Sequence, residues 1–470
     1  MNILHISAEC FPIAKVGGLA DVVGALPKYQ KELGTTSNVI MPFYNTKFTQ
    51  GNRFENVYEN DIALGDKYYN FKVLKLTNHS LSFDLFCIDI PDLLYKEYVY
   101  SNEDTERFLA FQIATLDWIL TFTEKPDVIH THDHHTGLIP FMMLQCFKYE
   151  TLKTIPTVLT IHNAQYQGWF SHEKVTLIPP FNFEKLGLLD WDGTINSLAA
   201  AIKCAWKVTT VSPSYMEELK LKANGLEYLL NHERAKCIGI LNGIDGNVWN
   251  PETDKKLIKN YATSSVISGK NIHKKWLCEQ FNLDIKKPLF VFIGRLVGEK
   301  GADLFPEIFK EALSENKISI LLLGSGHKEL EAELTKIPKD NFNTFIGYDE
   351  KLAHIMYAGA DFLLMPSRVE PCGLNQMYSL RYGTVPIVNA IGGLKDTIID
   401  IEKEDGFGIV HTGVTVKKVT SAIAKATVYY TKKEFNKNLK KIMEIDHSWH
   451  NSAQEYVNLY KSLKKINYDK

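Results

Sequence analysis

Residues 289–301 read LFVFIGRLVGEKG, an apolar run that ends in glycines and charged residues. Apolar runs without polar alternation are typical of strands that are buried on both faces of a parallel sheet. Comparable short runs lie at 3–8, 128–131, 157–161, 208–211, 318–323, 362–365 and 385–388. Longer helical patterns separate them, and this alternation predicts an α/β fold with doubly wound parallel sheets.

The strand and helix pattern runs twice along the 470 residues, which exceed the size of one ordinary core. Turn signals separate the two series, in LNGIDG (241–246), and a polar stretch follows over 254–275. These signals predict a boundary near Asp245, with one Rossmann-like domain over 1–245 and a second over 246–446.

Composition narrows the class of protein. Lysine and arginine number 53 and aspartate and glutamate 55, a balance that indicates neither a nucleic-acid partner nor an anionic membrane, because both favour a basic surplus. The seven cysteines are scattered and form no C-x-x-C pair, which argues against disulfides and against a structural zinc site. The N-terminus shows no basic leader, and we expect a cytoplasmic protein.

A short motif occurs once in each half, as GGLAD (17–21) and GGLKD (392–396). Each copy follows a predicted strand and opens a helical pattern. Paired glycines at such a place let backbone N–H groups approach an anion at the helix N-terminus. For one copy alone, a tight turn that needs a positive φ is the better explanation. Two copies, one per domain, favour a phosphorylated ligand held in a cleft between them.

Charged residues follow two predicted strands of the second half. Arg295 and Lys300 could clamp a diphosphate, or they could be solvated charges with Lys300 paired to Glu299. Glu370 could accept hydrogen bonds from sugar hydroxyls, or it could be an ordinary acid near a helix N-terminus. Cys372 is better explained as a small apolar filler than as a nucleophile, because no base accompanies it.

The segment HTHDHH (130–135) has the composition of a metal cluster. Successive residues on a strand point to opposite faces, so the four histidines cannot converge unless the strand ends within the segment. We therefore expect no metal, and Asp133 is the better polar candidate. The next predicted strand leads into IHNAQYQG (161–168), whose polar and aromatic side chains include His162, Asn163, Tyr166 and Gln167. Such side chains at the mouth of a parallel sheet suit sugar recognition.

Taken together, these segments resemble the glycogen and starch synthases that use a nucleotide-diphospho-glucose donor, over essentially the whole chain. In order, the matching segments are KVGGLADV (15–22), HD (132–133), IHN (161–163), NGID (242–245), WNP (249–251), GRL (294–296) with KG (300–301), GYDE (347–350), SRVEPCGL (367–374), GGLKDT (392–397), and SW (448–449) with SA (452–453). Each segment alone is weak, whereas their order and spacing are specific. Asn389 and Ala390 stand where the family commonly has a basic pair.

The resemblance implies a GT-B fold, in which two Rossmann-like domains face each other across a cleft. The first would be the acceptor-side domain and the second would bind the nucleotide sugar, while a terminal helix over 447–470 would pack back on the first. The implied reaction transfers glucose from ADP-glucose, or alternatively UDP-glucose, to the 4-hydroxyl at the non-reducing end of an α-1,4-glucan such as glycogen. The anomeric configuration is retained, and neither a metal nor a cofactor is needed.

The same resemblance implies roles for four catalytic residues. Arg295 and Lys300 would hold the donor phosphates. Glu370 would hold hydroxyls of the donor glucose, and His162 would lie at the sugar near the reacting carbon.

Further residues are expected to bind substrate. Lys15 and Gly18 would reach the donor from the first domain. Asp21 and Asp133 would line the donor and acceptor side, and Tyr348 would stack on the nucleotide base. The remaining members of this set are Asn163, Cys372, Gly373 and Leu374.

Three alternatives stay open at this point. Another GT-B transferase, of the sucrose or lipid-linked sugar type, would share the fold, although 15–22 and 370–374 fit the glucan synthases better. A non-catalytic glucan-binding protein would not need the charged residues that this chain retains. A nicotinamide-dependent dehydrogenase is disfavoured, because no G-x-G-x-x-G follows the first strand.

Overall fold

The computed structural model describes residues 1–338 and 340–468. The chain divides into two compact units, Met1–Asn242 together with the segment from Trp449, and Gly243–Ser448. The boundaries expected from the turn signals and the family resemblance were after 245 and after 446.

The first unit is built on a nine-stranded sheet. Its strands are β1 (Asn2–Ile6), β2 (Thr36–Pro42), β3 (Phe54–Leu64), β4 (Lys67–Leu76), β5 (Leu85–Asp89), β6 (Val128–His132), β7 (Thr157–Ile161), β11 (Lys207–Thr210) and β12 (Cys237–Gly239). A separate small sheet contains β8 (Trp169–Phe170), β9 (Asp190–Trp191) and β10 (Thr194–Asn196). The large sheet has the spatial order β12-β11-β7-β6-β1-β2-β5-β4-β3.

Helices cover this sheet. They are α1 (Gly18–Glu32), α2 (Lys47–Gly51), α3 (Thr105–Leu120), α4 (Ile139–Gln145), α5 (Ser197–Cys204), α6 (Pro213–Leu221) and α7 (Glu227–His232). The central strands β6 and β7 are buried along their whole length, as the apolar runs predict for strands covered on both faces.

An antiparallel hairpin of β3 and β4 extends one edge of the sheet. Most side chains of β3 are exposed or half-buried, because this edge is covered on one face only. Unbroken apolar runs do not predict such a hairpin, since a half-covered strand alternates polar and apolar residues.

The second unit contains a six-stranded sheet in which every pair of neighbours is parallel. Its strands are β13 (Leu289–Ile293), β14 (Ser319–Gly324), β15 (Phe342–Ile346), β16 (Phe362–Met365), β17 (Val385–Asn389) and β18 (Ile409–His411), in the order β15-β14-β13-β16-β17-β18. Its helices are α8 (Val266–Phe281), α9 (Phe305–Glu315), α10 (Lys328–Thr335), α11 (Glu350–Gly359), α12 (Asn375–Arg381), α13 (Gly392–Thr397), α14 (Val416–Tyr430) and α15 (Lys433–Met443).

Helix α8 occupies part of the polar stretch that follows the turn signals. Two of its three lysines, Lys270 and Lys274, are buried rather than solvated, because the fold supplies oxygen partners for them. Lys270 donates to the hydroxyl of Thr384 at 2.6 Å, and Lys274 pairs with Asp361 at 2.7 Å. Polar composition therefore does not mark a linker here.

The last helix, α16 (Trp449–Tyr468), belongs to the first unit and packs against α1. Trp449, Tyr456 and Tyr460 are buried in this contact, within the same apolar cluster as Leu26 of α1. Burial of three large aromatic side chains stabilises the packing of α16 on the first unit.

Each unit has a switch point, where neighbouring strands lead in opposite directions across the sheet. In the second unit β13 lies beside β16, with β14 and β15 on one side and β17 and β18 on the other. In the first unit β1 lies between β2 and β6. Open α/β sheets bind ligands outside the carboxyl ends of strands at such points, so the loops after β1, β6, β13 and β16 are the expected ligand-binding loops.

Across the described part of the chain, none of the helices combines the length and the apolar character that a membrane span requires.

Candidate functional site

An ion pair joins the loops that follow β13 and β16. The Nζ of Lys300 lies 2.6 Å from Oε2 of Glu370, and the hydroxyl of Ser367 donates to the same oxygen at 2.9 Å. The two charged side chains are 22% and 9% exposed, so solvent screens their attraction only weakly. Lys300 and Glu370 therefore meet at the switch point of the second sheet, where a ligand is expected.

The alternative pairing of Lys300 with Glu299 is wrong, because Lys300 is taken by the carboxylate across the switch point. Glu299 instead lies 3.5 Å from Arg295, whose side chain is 67% exposed. An exposed guanidinium can bind an anion without first leaving a buried partner. Tyr348 follows β15 and is 82% exposed, which leaves its ring open to a planar ligand.

Arg368 connects the loop after β16 to the loop after β13. Its guanidinium donates to both carboxylate oxygens of Asp303, at 2.5 and 2.9 Å, and to the carbonyl of Gly298 at 2.6 Å. Hydrogen bonding from Arg368 lowers the pKa of Asp303. Gly301 adopts a φ of +73°, and a Cβ there would overlap the carbonyl oxygen of Pro366. These contacts hold the loop that carries Lys300 against the loop that carries the opposing glutamate.

The turn after Glu370 is closely packed. Cys372 is buried, as expected for a small filler, and burial is a general reason for low thiol reactivity. Gly373 adopts a φ of +71°, and a Cβ there would lie 2.6 Å from the side-chain oxygen of Gln376. Leu374 immediately precedes α12. A role of these three residues in substrate binding stays a prediction.

The second glycine pair packs on this turn. The backbone N–H of Gly393 donates to the carbonyl oxygen of Glu370 at 3.1 Å. A Cβ at Gly392 would overlap that same oxygen, and a Cβ at Gly393 would overlap the carbonyl oxygen of Cys372. Close approach of backbone to backbone explains why glycine stands at both positions.

In the first unit, Lys15 and Asp21 are paired with each other at 2.7 Å, with 44% and 29% of their side chains exposed. The structure thus brings together two residues that were expected to contact substrate separately. A cavity of about 480 Å³ adjoins the loop that precedes α1, and its walls include Lys15, Val16 and Tyr98.

Glu9 holds the backbone of this loop. Its Oε2 accepts the N–H groups of Val16 and Gly17 at 2.5 and 3.0 Å, and its Oε1 accepts the hydroxyl of Tyr100 at 2.5 Å. Glu9 is buried and lies just before the N-terminus of α1, where a negative charge is favoured. No sequence motif drew attention to it, because its partners lie seven residues and more away.

Asp133 positions the loop after β7. Its Oδ1 accepts the backbone N–H of His162 at 2.7 Å and that of Asn163 at 3.5 Å. Its backbone has a φ of +55°, a left-handed conformation that is strained for a residue other than glycine and clusters at functional sites. Burial raises the pKa of Asp133 to about 7, against the effect of these N–H groups.

His162 is hydrogen-bonded to a buried histidine pair. Its Nε2 lies 3.0 Å from Nδ1 of His132, and Nε2 of His132 lies 3.1 Å from Nδ1 of His5. The ring of His5 ends this series at Oε1 of Gln30, 2.9 Å away. Burial lowers the pKa of His5 to about 4 and that of His162 to about 3, so both rings are neutral at pH 7.

The histidine segment converges only in part. His130 and His132 are two residues apart on β6, so they share one face of the strand and approach His5. The strand ends at His132, and the rings of His134 and His135 lie against each other, tilted by 35° with centroids 3.7 Å apart. Nitrogens of His5, His130 and His132 lie within 4.8 Å of one another, a spacing that a metal ion could bridge. Hydrogen bonds already occupy both nitrogens of each of these rings.

Two other side chains of the 161–168 loop serve the loop itself. Asn163 accepts the N–H of Gln165 at 2.9 Å through its side-chain oxygen. Gln167 is buried and donates to the carbonyl oxygens of Ala164 and Asn224, so the expectation that it faces a sugar is wrong. Tyr166 is 57% exposed.

Two family models match the chain. The model described as the starch synthase catalytic domain matches residues 2–232, and the model described as glycosyl transferases group 1 matches residues 277–442. Each match lies within one of the compact units.

Curated relatives match at full length. A glycogen synthase of Flavobacterium johnsoniae is 52% identical over 467 residues, which cover 98% of each chain. A glycogen synthase of Streptococcus pneumoniae is 36% identical, over 98% of this chain and 100% of the relative. Among solved structures, the catalytic domain of starch synthase IV from Arabidopsis thaliana, bound to ADP and acarbose, has a TM-score of 0.89 and 30% identity, covering 98% of this chain and 99% of that one.

Proposed function

The chain belongs to the family of glycogen and starch synthases, which are hexosyltransferases of the GT-B fold, and on that premise we propose its donor, its mechanism and the residues that act. The donor is ADP-glucose, and the acceptor is the 4-hydroxyl at the non-reducing end of an α-1,4-glucan. Glucose is transferred with retention of its anomeric configuration. Membership in the family confirms the predicted fold class and the predicted class of enzyme.

Two cations serve the leaving group. As the glycosidic bond of the donor breaks, negative charge grows on the nucleoside diphosphate. Lys300 and Arg295 carry fixed positive charge in the loop after β13, at the switch point of the sheet. Losing one preorganised contact of this kind typically costs about 3 kcal/mol, or a hundredfold or more in rate. The Lys300–Glu370 pair is the observation that carries the proposal.

Glu370 orients the donor glucose rather than attacking it. One of its oxygens already accepts from Lys300 and Ser367, and the carboxylate can accept sugar hydroxyls as well. The leaving phosphate departs from the face at which the acceptor arrives, and it takes the proton of the acceptor hydroxyl. Retaining glycoside hydrolases instead form a covalent glycosyl-enzyme on a carboxylate.

The first unit supplies contacts to the reacting sugars. His162 lies beside the donor glucose, and Asp133 holds the backbone of that loop in place. Lys15 and Gly18 reach the donor, with Lys15 leaving its contact to Asp21 to do so. Tyr348 of the second unit stacks on the nucleobase through its exposed ring.

A matched pair of lysine variants tests the proposal. We expect Lys300→Ala to lower the rate of glucose transfer to glycogen at least a hundredfold. Lys425→Ala is the control, because Lys425 forms a comparable partly shielded pair with Asp400 at 3.0 Å in the same unit. Equal rates for the two variants would contradict the assigned role of Lys300.

Two further assays test the donor and the intermediate. In competition for glycogen as acceptor, ADP-glucose should be used in preference to UDP-glucose, and a preference for UDP-glucose would overturn the donor assignment. Glu370→Ala should abolish turnover without accumulating a covalent glycosyl-enzyme. A covalent glycosyl adduct on Glu370 in the wild-type protein would refute the front-face mechanism.

A further inference from the structure

The hydrogen bonds that end at His162 form one continuous buried chain with a definite direction. Its centre is the side-chain amide of Gln30 on α1, which is fully buried. The amide nitrogen donates to the hydroxyl of Tyr460 at 3.2 Å, and the amide oxygen lies 2.9 Å from Nε2 of His5. An amide donates through its nitrogen and accepts through its oxygen. The orientation of the Gln30 amide therefore decides which group donates and which accepts at every bond of the two branches that leave it.

The first branch runs away from the amide nitrogen. Tyr460 accepts from Gln30 and lies 2.7 Å from Nδ1 of His130, so its own proton points to that ring. Nε2 of His130 then donates to the hydroxyl of Thr160 at 2.6 Å, and Thr160 donates to Thr209 at 2.6 Å. This branch ends on a backbone carbonyl.

Two contacts of hydroxyl groups agree with this sense. The hydroxyl of Thr209 donates to the carbonyl oxygen of Leu159 at 3.2 Å, which can only accept. The hydroxyl of Ser37 independently donates to the amide oxygen of Gln30 at 2.7 Å. Exchanging the oxygen and nitrogen of Gln30 would reverse every bond, and Thr209 would then donate to Thr160. The amide nitrogen would face the hydroxyl of Ser37, whose proton would be left with only Thr35, 3.5 Å away. The contact of Ser37 with Gln30 therefore sets the sense of the chain.

The second branch runs toward the amide oxygen. Because Oε1 of Gln30 accepts, Nε2 of His5 carries the proton and its Nδ1 is bare. Nε2 of His132 then donates to Nδ1 of His5 at 3.1 Å, and Nε2 of His162 donates to Nδ1 of His132 at 3.0 Å. Burial keeps the pKa of each of these three rings well below 6.5, so each has only one proton to place.

We propose that Gln30, His5 and His132 are positioning residues that fix the tautomer of His162, with the proton on Nε2 and a bare Nδ1. A bare Nδ1 is an acceptor, so His162 receives a hydrogen bond from a sugar hydroxyl and cannot donate one. The direction of the chain rests on the contacts above, whereas the identity of the hydroxyl as one of the donor glucose rests on the proposed function. The carboxylate of Asp133 complements this arrangement by holding the backbone N–H of the same histidine.

Histidine-selective ¹⁵N NMR of the full chain tests the tautomer without any substrate. The signals of His162 are assigned from their loss in His162→Ala. We expect the Nε2–H form at pH 7. The Nδ1–H form, or rapid exchange between both forms, would overturn the proposal. A metal ion bridging His5, His130 and His132 would also overturn it, and zinc titration followed by the same spectra would reveal bound metal through shifted ring nitrogens.

Two buried variants separate the branches. Gln30→Met keeps the length of the side chain and removes its hydrogen bonds to Tyr460, His5 and Ser37, so the His162 signals should move toward an average of the two tautomers. The kcat for transfer should fall about tenfold to a hundredfold, with the KM for glycogen unchanged. Thr209→Val cuts only the first branch and keeps the side-chain shape, so the tautomer of His162 and kcat should both stay as in the wild type.

The pattern of results distinguishes failure of this inference from failure of the proposed function. If Gln30→Met lowers thermal stability but leaves the His162 tautomer and kcat intact, Gln30 is only structural and the inference is wrong. If the wild-type protein shows the Nε2–H form but transfers no glucose, the positioning chain stands and the proposed function falls.

Discussion

Gly17-Gly18 and Gly392-Gly393 follow a strand in each unit and stand at the N-terminus of a helix, yet their surroundings differ. A Cβ at Gly17 or at Gly18 would meet nothing within 4 Å, and the φ of Gly17 is −137°, which any residue can adopt. A Cβ at Gly392 or at Gly393 would overlap carbonyl oxygens of the turn that begins at Glu370. The first pair faces open space, and the second is locked into the packing of its unit.

The two turns also differ in charge. The N–H groups at the start of α1 bind the carboxylate of Glu9, an anion that belongs to the protein. In the second unit the N–H of Gly393 binds a neutral backbone carbonyl. A repeated motif therefore does not imply a repeated function. Packing explains the glycines of the second copy. At the first copy Glu9 binds the backbone of the turn, and the space beside the two glycines leaves room for a ligand.

Replacing the packed glycine should have the largest effect on stability. We expect Gly393→Ala to lower the free energy of unfolding by about 3 kcal/mol or more, because a backbone oxygen blocks the new methyl group. Gly17→Ala, the control in open space, should change it by less than about 0.5 kcal/mol. Denaturant midpoints of the two variants measure both values, and similar midpoints would break the comparison.

Removing the internal anion of the first turn should have the next largest effect. Glu9→Ala leaves two backbone N–H groups and the hydroxyl of Tyr100 without their acceptor, which should cost about 2 kcal/mol. The amides of Val16 and Gly17 should exchange their hydrogens faster. Glu9→Gln keeps an acceptor oxygen and should show a smaller change. Unaltered amide exchange in Glu9→Ala would show that the loop does not depend on this carboxylate.

Acid should weaken the first unit more than the second. Burial lowers the pKa of six of its histidines, namely His5, His130, His132, His134, His135 and His162. Below pH 6.5 these histidines bind protons in the unfolded chain but stay neutral in the folded unit. Their contribution to the free energy of unfolding is therefore fully present above pH 6.5 and decreases as the pH falls.

Hydrogen exchange of the intact chain at pH 7 and pH 5.5 measures this difference. The first unit should lose at least about 1 kcal/mol more protection than the second over that range, after correction for intrinsic exchange rates. The raised pKa of Asp133 acts in the opposite direction and offsets only part of the effect of the histidines. The second unit also contains histidines with lowered pKa values, such as His273 and His411, and serves as the internal reference. Equal losses in the two units would contradict the assignment of neutral buried histidines to the first.

The smallest effect on stability is expected at the open pair itself. Gly18→Ala should leave the free energy of unfolding within about 0.5 kcal/mol of the wild type, since its Cβ meets no atom within 4 Å. If a ligand approaches the backbone there, glucose transfer should fall about tenfold although the fold is intact. Transfer at the wild-type rate would remove Gly18 from the proposed substrate contacts.

Local sequence was enough to predict the buried parallel strands and the loops that follow them. The strands at 157–161, 289–293 and 362–365 have the bounds that their apolar runs predict, because a strand covered on both faces has to be apolar throughout. Arg295 and Glu370 then fall at the carboxyl ends of such strands by position alone, where open sheets bind ligands.

Contacts between distant segments could not be predicted in this way. Lys300 and Glu370 are 70 residues apart, and nothing in either segment states that their strands are neighbours. His5 and His132 meet only because β1 and β6 are paired. The segment 130–135 by itself therefore suggests that its own four histidines form a group and leaves out His5. A carboxylate such as Glu9, whose function is to hold backbone, forms no recognisable motif at all.

A crystal structure with ADP bound tests the central claim most directly. We expect the phosphates within hydrogen-bonding distance of the side chains of Arg295 and Lys300, in the loop after β13, with the base against Tyr348. ADP bound elsewhere, with its phosphates away from both cations, would contradict the account.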